Sequence, residues 1–164
     1  LYFFLALFVF MNFGWRAARW LFFLVVMVAV TDQLSSSVIK YAVNRPRPCN
    51  VPELIPYVRT LLGYCSQSPS FTSSHATNHF ALAFFLFLTL KPYFKKWSYL
   101  FFFWAASISY GQVYVGIHYP LDITCGAILG SIIGIVTAKI FMRYVALEPI
   151  PVTTMNEISV HSHK

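Results

Sequence analysis

Charged side chains are scarce in this chain. Asp, Glu, Lys and Arg together make up 10% of its 164 residues, against about 25% in soluble domains. Hydrophobic residues make up 58% and aromatic residues 19%. This composition excludes an ordinary soluble domain and predicts an integral multi-pass membrane protein. No nucleic-acid motif, internal repeat or low-complexity linker interrupts the sequence, so we expect one all-α, polytopic transmembrane helix bundle and no nucleic-acid partner.

Five apolar segments are the candidate membrane helices, because a helix needs about 20 mostly apolar residues to cross the hydrocarbon core. They cover residues 1–13, 15–39, 75–90, 97–115 and 120–144. The first is too short to span unless its beginning is missing, and it lacks the basic start and cleavage site of a signal peptide. We therefore expect residues 1–145 to form an N-terminally truncated transmembrane domain and residues 146–164 to form a flexible tail.

Basic residues set the expected orientation, because short cytoplasmic loops collect Lys and Arg. If the helices alternate in direction, seven basic residues fall on one side: Arg16, Arg19, Lys91, Lys95, Lys96, Lys139 and Arg143. Loops 41–71 and 116–119 then share the opposite side, which also holds Lys40, Arg45, Arg47 and Arg59. Cations on that disfavoured side indicate an anionic substrate, although contact with lipid headgroups or snorkelling to the interface also accounts for such residues.

The three cysteines divide into a candidate pair and a single residue. Cys49 and Cys65 bracket the proline-rich part of the outer loop, whereas Cys125 sits within an apolar helix. We expect Cys49 and Cys65 to form a disulfide in an oxidising compartment, contributing about 2 to 4 kcal/mol to stability. Cys125 is expected to be a small core residue.

The first of three polar stretches joins Lys40, at the end of an apolar helix, to the sequence NRPRP at residues 44–48. The two prolines end the helix and hold the chain extended. Cations on such a stiff segment can bind phosphate oxygens, Arg with its planar fork and Lys as a point charge. An ordinary basic turn beside the membrane is the alternative.

The second stretch, TSSH at residues 72–75, precedes the apolar run 80–90, a position where Ser or Thr caps a helix. The free amides near Ser73 and Ser74, together with the positive end of the helix dipole, favour an anion. His75 stands beside them, able to deliver a proton. A plain cap with an interfacial His is the alternative.

The third stretch covers residues 111–122, in which Pro120 suits the first turn of a helix and Asp122 follows two residues later. His118 and Asp122 are within local reach of each other. A carboxylate on one imidazole nitrogen fixes the tautomer, leaves the other nitrogen free to attack and stabilises the charge that develops. This pattern is typical of an activated His nucleophile.

In combination, the three stretches resemble the signature of the type 2 phosphatidic acid phosphatase superfamily. That signature is Lys, six residues, Arg-Pro; then Pro-Ser-Gly-His; then Ser-Arg, five residues, His, three residues, Asp. The matching residues are, in order, Lys40, Arg47, Pro48, Ser73, His75, His118 and Asp122. The resemblance covers roughly residues 15–144, and it implies six membrane helices, one of them before residue 1.

Four positions depart from the signature. Thr72 replaces Pro, Ser74 replaces Gly, Gly111 replaces Ser and Gln112 replaces Arg. The last change matters most, because a neutral amide stands where the family has a phosphate-binding cation. Either phosphate affinity is lower or Arg45 supplies the missing charge.

The resemblance implies a metal-independent phosphatase with no cofactor, acting on a membrane lipid phosphate or diphosphate at the extracytoplasmic face. His118 would attack phosphorus and form a phosphohistidine, and Asp122 would orient it. His75 would protonate the departing lipid oxygen and then activate water. The residues implied to hold the phosphate are Lys40, Arg45, Arg47, Ser73, Ser74 and Gln112.

The substrate candidates are phosphatidic acid, phosphatidylglycerol phosphate, polyprenyl diphosphate and lipid A. The compact chain favours an envelope lipid such as polyprenyl diphosphate, in a bacterial inner membrane with the site facing the periplasm. The fold of loop 51–70 over the site would decide the headgroup pocket.

Two other functions compete with this hypothesis. His75 with His79, and His118 with Asp122, are each spaced by four residues, which places two metal ligands on one helix face. A metal-binding membrane protein or ion transporter is therefore an alternative, opposed by the nearby cations and by the absence of an H-E-x-x-H sequence. The tail residues His161 and His163 are expected to be exposed and inert. An inactive lipid-binding scaffold is the third candidate, because Gln112 carries no charge.

Overall fold

Helices account for the regular structure of the chain. In the computed structural model, which describes residues 2–59, 61, 63–145 and 147, the α-helices are α1 (Tyr2–Phe13), α2 (Arg16–Asp32), α3 (Lys40–Val43), α4 (Ser74–Phe94), α5 (Leu100–Tyr114) and α6 (Pro120–Tyr144). A π-helical segment, Gln33–Ile39, joins α2 to α3 without a break. Short 3₁₀ turns cover Pro48–Asn50, Ile55–Tyr57 and Lys95–Tyr99. No strand occurs among the described residues, so the predicted all-α class is confirmed.

Two of the described helices are long and apolar enough to cross a membrane, judged by length and composition. One begins at Arg16 and includes the π-helical segment, and the other is α6, which has 25 residues. Helix α1 is also apolar but shorter. The first long helix continues to Val43, four residues beyond the predicted end at residue 39. Except for Leu147, the predicted flexible tail, with His161 and His163, lies outside the described residues.

Helices α4 and α6 pack so closely that the backbone of one helix lies directly against the backbone of the other. Three glycines of α6 repeat every fourth residue and are buried on the face toward α4: Gly126, Gly130 and Gly134. A Cβ atom at Gly126 would lie 2.8 Å from the carbonyl oxygen of Ser73. Cβ atoms at the other two would collide with the carbonyl oxygens of Thr77 and Ala81. Small residues at this spacing allow close helix contact within a membrane.

Aromatic side chains attach α2 to this pair. The ring centroid of Phe85 on α4 lies 5.7 Å from that of Trp20 on α2 and 5.9 Å from that of Phe141 on α6. The indole of Trp20 also donates a hydrogen bond of 3.1 Å to the Thr89 hydroxyl. Because these rings are fully buried, they fix the orientation of α2 on the pair.

The long loop between α3 and α4 is tied down at several points. Cys49 and Cys65, expected to pair, are joined by a disulfide with a Cα–Cα distance of 6.0 Å, whereas Cys125 is free and half-buried. The amide of Ser70 donates to the carbonyl oxygen of Arg45 at 2.7 Å. These bonds hold the loop against the end of the bundle where α4 and α6 begin.

The close contacts of the α6 glycines predict that the stability of the protein is sensitive to a methyl group added at Gly130. Gly130→Ala should lower the thermal unfolding midpoint in detergent, because the added methyl group collides with a backbone carbonyl and forces α6 away from α4, at a cost of about 1 to 3 kcal/mol. Gly111→Ala is the matched control, since nothing lies within 4 Å of its new Cβ atom. A Gly130→Ala protein as stable as the Gly111→Ala protein would contradict the packing.

Candidate active site

Asp122 is the buried centre of the site. Tyr119 is extended (φ −77°, ψ 153°), Pro120 occupies the first turn of α6, and the Asp122 carboxylate accepts the Tyr119 amide at 3.0 Å. Proline suits this position because its missing N–H would be unpaired there in any residue. The carboxylate is fully buried, so its charge has to be compensated by neighbouring donors.

Two side chains from distant parts of the chain, and one four residues away, provide that compensation. Arg45 Nη1 lies 3.1 Å from Asp122 Oδ1. On the other oxygen, Oδ2, the hydroxyl of Ser70 donates a hydrogen bond and His118 Nδ1 lies 3.5 Å away. The Arg45 guanidinium also stacks 3.8 Å from the ring centroid of Tyr119. With Nδ1 directed at the carboxylate, His118 Nε2 faces the other way.

His118 Nε2 faces a cavity of about 210 Å³ and lies 3.4 Å from Nη1 of Arg47. Burial of the imidazole lowers the pKa of His118; the hydrogen bond with Asp122 opposes this, and the nearby charges of Arg47 and Lys40 reinforce it. The ring is therefore neutral near pH 7, and when Nδ1 carries the proton the lone pair on Nε2 is directed at the cavity side, where it accepts from Arg47 Nη1. A neutral imidazole held in this way is a competent nucleophile.

Arg47 is held rigidly beside that nitrogen. Its Nε and Nη2 donate to the carbonyl and the hydroxyl of Ser68, each at 2.9 Å, and its Nη1 donates to the carbonyl of Ile117 at 3.2 Å. The path of the backbone explains its position, because Asn44 takes the left-handed conformation (φ 48°, ψ 40°) that ends α3, and Asn tolerates that conformation. The prolines that follow then keep the chain extended.

The predicted residues separate into those that line the cavity and those that support it. Six of them line it: Lys40, Arg47, Ser74, His75, Gln112 and His118. Two do not. Ser73 caps α4, accepting the Ala76 amide at 3.4 Å, and Arg45 is held on Asp122. The sequence predicts phosphate contacts for Ser73 and Arg45, and these contacts stay a prediction, because the structure shows both side chains in supporting contacts instead.

His79 lies apart from this cavity. It lines a separate, smaller space with Leu5 and Leu82, although its ring stacks on that of His75 with a centroid distance of 6.5 Å. Among the described residues, no group of three or more His, Cys, Asp or Glu side chains is placed to hold a metal ion.

Sequence analysis missed the serines of the outer loop. Ser68 holds Arg47, Ser70 holds Asp122, and Ser66 lines the cavity together with Tyr64. The available signal was the serine-rich run SQSPS at residues 66–70, directly after Cys65. Such a run is common in loops, so its proximity to the site was not predictable from composition.

Comparison with known proteins gives one family match and several relatives. The profile of the PAP2 superfamily matches residues 19–146. A lipid A 4'-phosphatase of Porphyromonas gingivalis is 35% identical over 117 residues, which are 70% of this chain and 48% of that protein. A lipid A 4'-phosphatase of Bacteroides thetaiotaomicron is 32% identical over 148 residues, 85% of this chain and 64% of that protein.

A shorter match is with the bacitracin transport permease protein BcrC of Bacillus licheniformis. It is 36% identical over 61 residues, covering 37% of this chain and 28% of that protein. The chain thus matches between about a quarter and two thirds of the length of these relatives.

The burial of His118 predicts that its imidazole takes up a proton only at a lower pH than an exposed histidine does. Its pKa in the folded protein should lie below the ordinary value of about 6.5, because burial disfavours the imidazolium. The neutral ring then stabilises the fold above pH 6.5, and this contribution is lost as the pH falls. NMR of ¹³C-labelled histidine in detergent, with the signal assigned by its loss in His118→Ala, measures the midpoint. A folded-state midpoint at or above that of the denatured protein would contradict the prediction.

Proposed function

This chain belongs to the PAP2 superfamily, and from that premise we propose that it hydrolyses a phosphate ester of a membrane lipid without a metal ion. The observation that carries the proposal is the setting of His118. Its Nδ1 faces the buried Asp122 carboxylate, and its Nε2 faces a cavity that His75 and two cations also line. A nucleophile, a second imidazole and an anion-binding surface are the parts that phosphoryl transfer requires.

In the first step, His118 Nε2 attacks the phosphorus atom in line with the bond to the lipid oxygen. The N–P bond forms as the P–O bond breaks, giving a phosphohistidine, and Asp122 stabilises the positive charge on the ring through Nδ1–H. His75 donates a proton to the departing lipid oxygen. In the second step, His75 removes a proton from water, the oxygen of that water attacks phosphorus, and inorganic phosphate leaves with His118 restored.

Fixed donors stabilise the charge that spreads over the nonbridging oxygens during both steps. Arg47 is suited to this role because Ser68 and Ile117 already immobilise its guanidinium 3.4 Å from the attacking nitrogen. Lys40 and the first turn of α4, which begins at Ser74, also line the cavity and add positive potential to it. Such pre-aimed groups need little reorganisation as the transition state forms.

We place the site at the extracytoplasmic face of a multi-pass protein, in the periplasm if the source is a bacterial inner membrane. The basic residues near the opposite ends of the helices support this orientation. The disulfide between Cys49 and Cys65 supports it independently, because such bonds persist mainly in oxidising compartments.

Lipid A is our first candidate for the substrate, since two relatives carry the name lipid A 4'-phosphatase. Phosphatidic acid and phosphatidylglycerol phosphate, which are phosphomonoesters, and polyprenyl diphosphate, in which the P–O–P anhydride bond would break, belong in the same assay. The exposed apolar side chains along α6, such as Ile128 and Ile132, provide a surface for acyl chains.

The mechanism predicts that His118→Ala reduces phosphate release from lipid A by at least about 10³-fold, while EDTA leaves the unmodified protein active. His161→Ala is the control for a histidine that sequence analysis places outside the site. Loss of activity with EDTA and recovery with zinc would favour the metal-binding alternative. Absence of turnover on all four lipids would favour an inactive scaffold.

Ser70 is a positioning residue, because it acts on the substrate only through Asp122 and His118. Ser70→Ala should lower kcat about tenfold, the cost of one hydrogen bond to a charged group, with KM little changed; the unfolding midpoint should also fall, because the buried Asp122 carboxylate loses one of its donors. Ser70→Thr, which keeps the hydroxyl, should recover part of kcat. Ser107→Ala is the matched control on the exposed face of α5. Equal changes in kcat for the two alanine variants would rule out this role.

A further inference from the structure

The fixed charge of the cavity is small and well defined. Of the described residues that line it, Lys40 and Arg47 carry a positive charge and none is acidic. The carboxylate of Asp122 lies outside this lining, and its charge is paired at 3.1 Å with that of Arg45, which also lies outside the lining. A ligand therefore meets two cations and otherwise neutral groups.

Gln112 is the neutral group best placed to change that balance. It lies in the last turn of α5, and its backbone carbonyl accepts the amides of Ile117 and His118 at 3.2 and 3.3 Å. Whatever side chain stands at this position is consequently held next to the attacking imidazole. The amide oxygen of Gln112 is buried and has no hydrogen-bond partner, so this side chain is not committed to any other contact through that atom.

The charge of a ligand affects its binding in two opposite ways. Attraction to the two cations increases in proportion to the ligand charge. The cost of taking the ligand out of water increases with the square of that charge, and it is severe for any charge left uncompensated. The favoured ligand is then the one whose charge matches that of the cavity. A phosphomonoester, which approaches a charge of −2 at neutral pH, is matched by Lys40 and Arg47, whereas a diphosphate brings at least one further charge.

From this balance we infer that Gln112 is a specificity-determining residue that makes the site selective for lipid phosphomonoesters over lipid diphosphates. The inference rests on the proposed function and narrows it to one class of substrate. A third cation at position 112 would lie close enough to His118 to compensate the extra charge of a diphosphate. The neutral amide instead leaves that charge unpaired.

The test compares a prenyl monophosphate with the prenyl diphosphate of the same chain length, so that only the headgroup differs. The ratio of kcat/KM for monophosphate to that for diphosphate should favour the monophosphate in the unmodified protein. Gln112→Arg should shift this ratio toward the diphosphate by about tenfold or more. Gln67→Arg is the matched control, because it adds the same charge on the exposed part of the outer loop. Gln112→Met, neutral and similar in size, should keep the original preference.

Binding of inorganic phosphate and pyrophosphate, measured by calorimetry at about pH 8 where a phosphomonoester is a dianion, gives a second readout that needs no turnover. The same shift in relative affinity is expected for Gln112→Arg. A preference of the unmodified protein for the diphosphate, or an equal effect of Gln67→Arg and Gln112→Arg, would overturn the inference while leaving the phosphatase function intact. No turnover of any lipid, with the binding preference retained, would instead contradict the proposed function.

Discussion

The buried carboxylate of Asp122 is the interaction on which the site depends. A fully buried negative charge is stable only when donors surround it, and here the donors come from three separate parts of the chain. Arg45 follows α3, Ser70 ends the outer loop and His118 precedes α6. Satisfying one carboxylate therefore fixes the path of the loop, the start of α6 and the direction of the imidazole together.

The close contact of α4 and α6 supplies the geometry in which this can happen. Because Gly126, Gly130 and Gly134 place no side chain of α6 against α4, the first turns of both helices lie side by side. The Ser73 amide donates to the backbone carbonyl of Asp122 at 3.2 Å, which joins the second and third polar stretches directly. Two helix N-termini then add their positive potential at one place, where an anionic substrate needs it.

Several features of the site were predictable from local sequence. The prolines around Arg47, the serines before α4 and the spacing of His118 from Asp122 each have a local physical meaning, in chain direction, helix capping or side-chain reach. Lys40, His75 and Gln112 were placed in the same pocket because the resemblance to a known family ordered the three stretches. The contacts of Ser68 and Ser70 were not predictable, since they join residues about 20 to 50 positions apart and follow no periodic pattern.

The amino-acid sequence by itself determined the membrane class, the helices and the residue types that can perform phosphoryl transfer, because apolar length, capping and titratable chemistry are local properties. Only the tertiary structure decided that Arg45 neutralises Asp122 while Arg47 faces the cavity, although both stand in the same short basic segment. The physical reason is burial, since a charge removed from water must find the partner that packing places beside it. That division leaves Gln112 as a neutral side chain in a cavity that it shares with Lys40, Arg47 and the attacking imidazole.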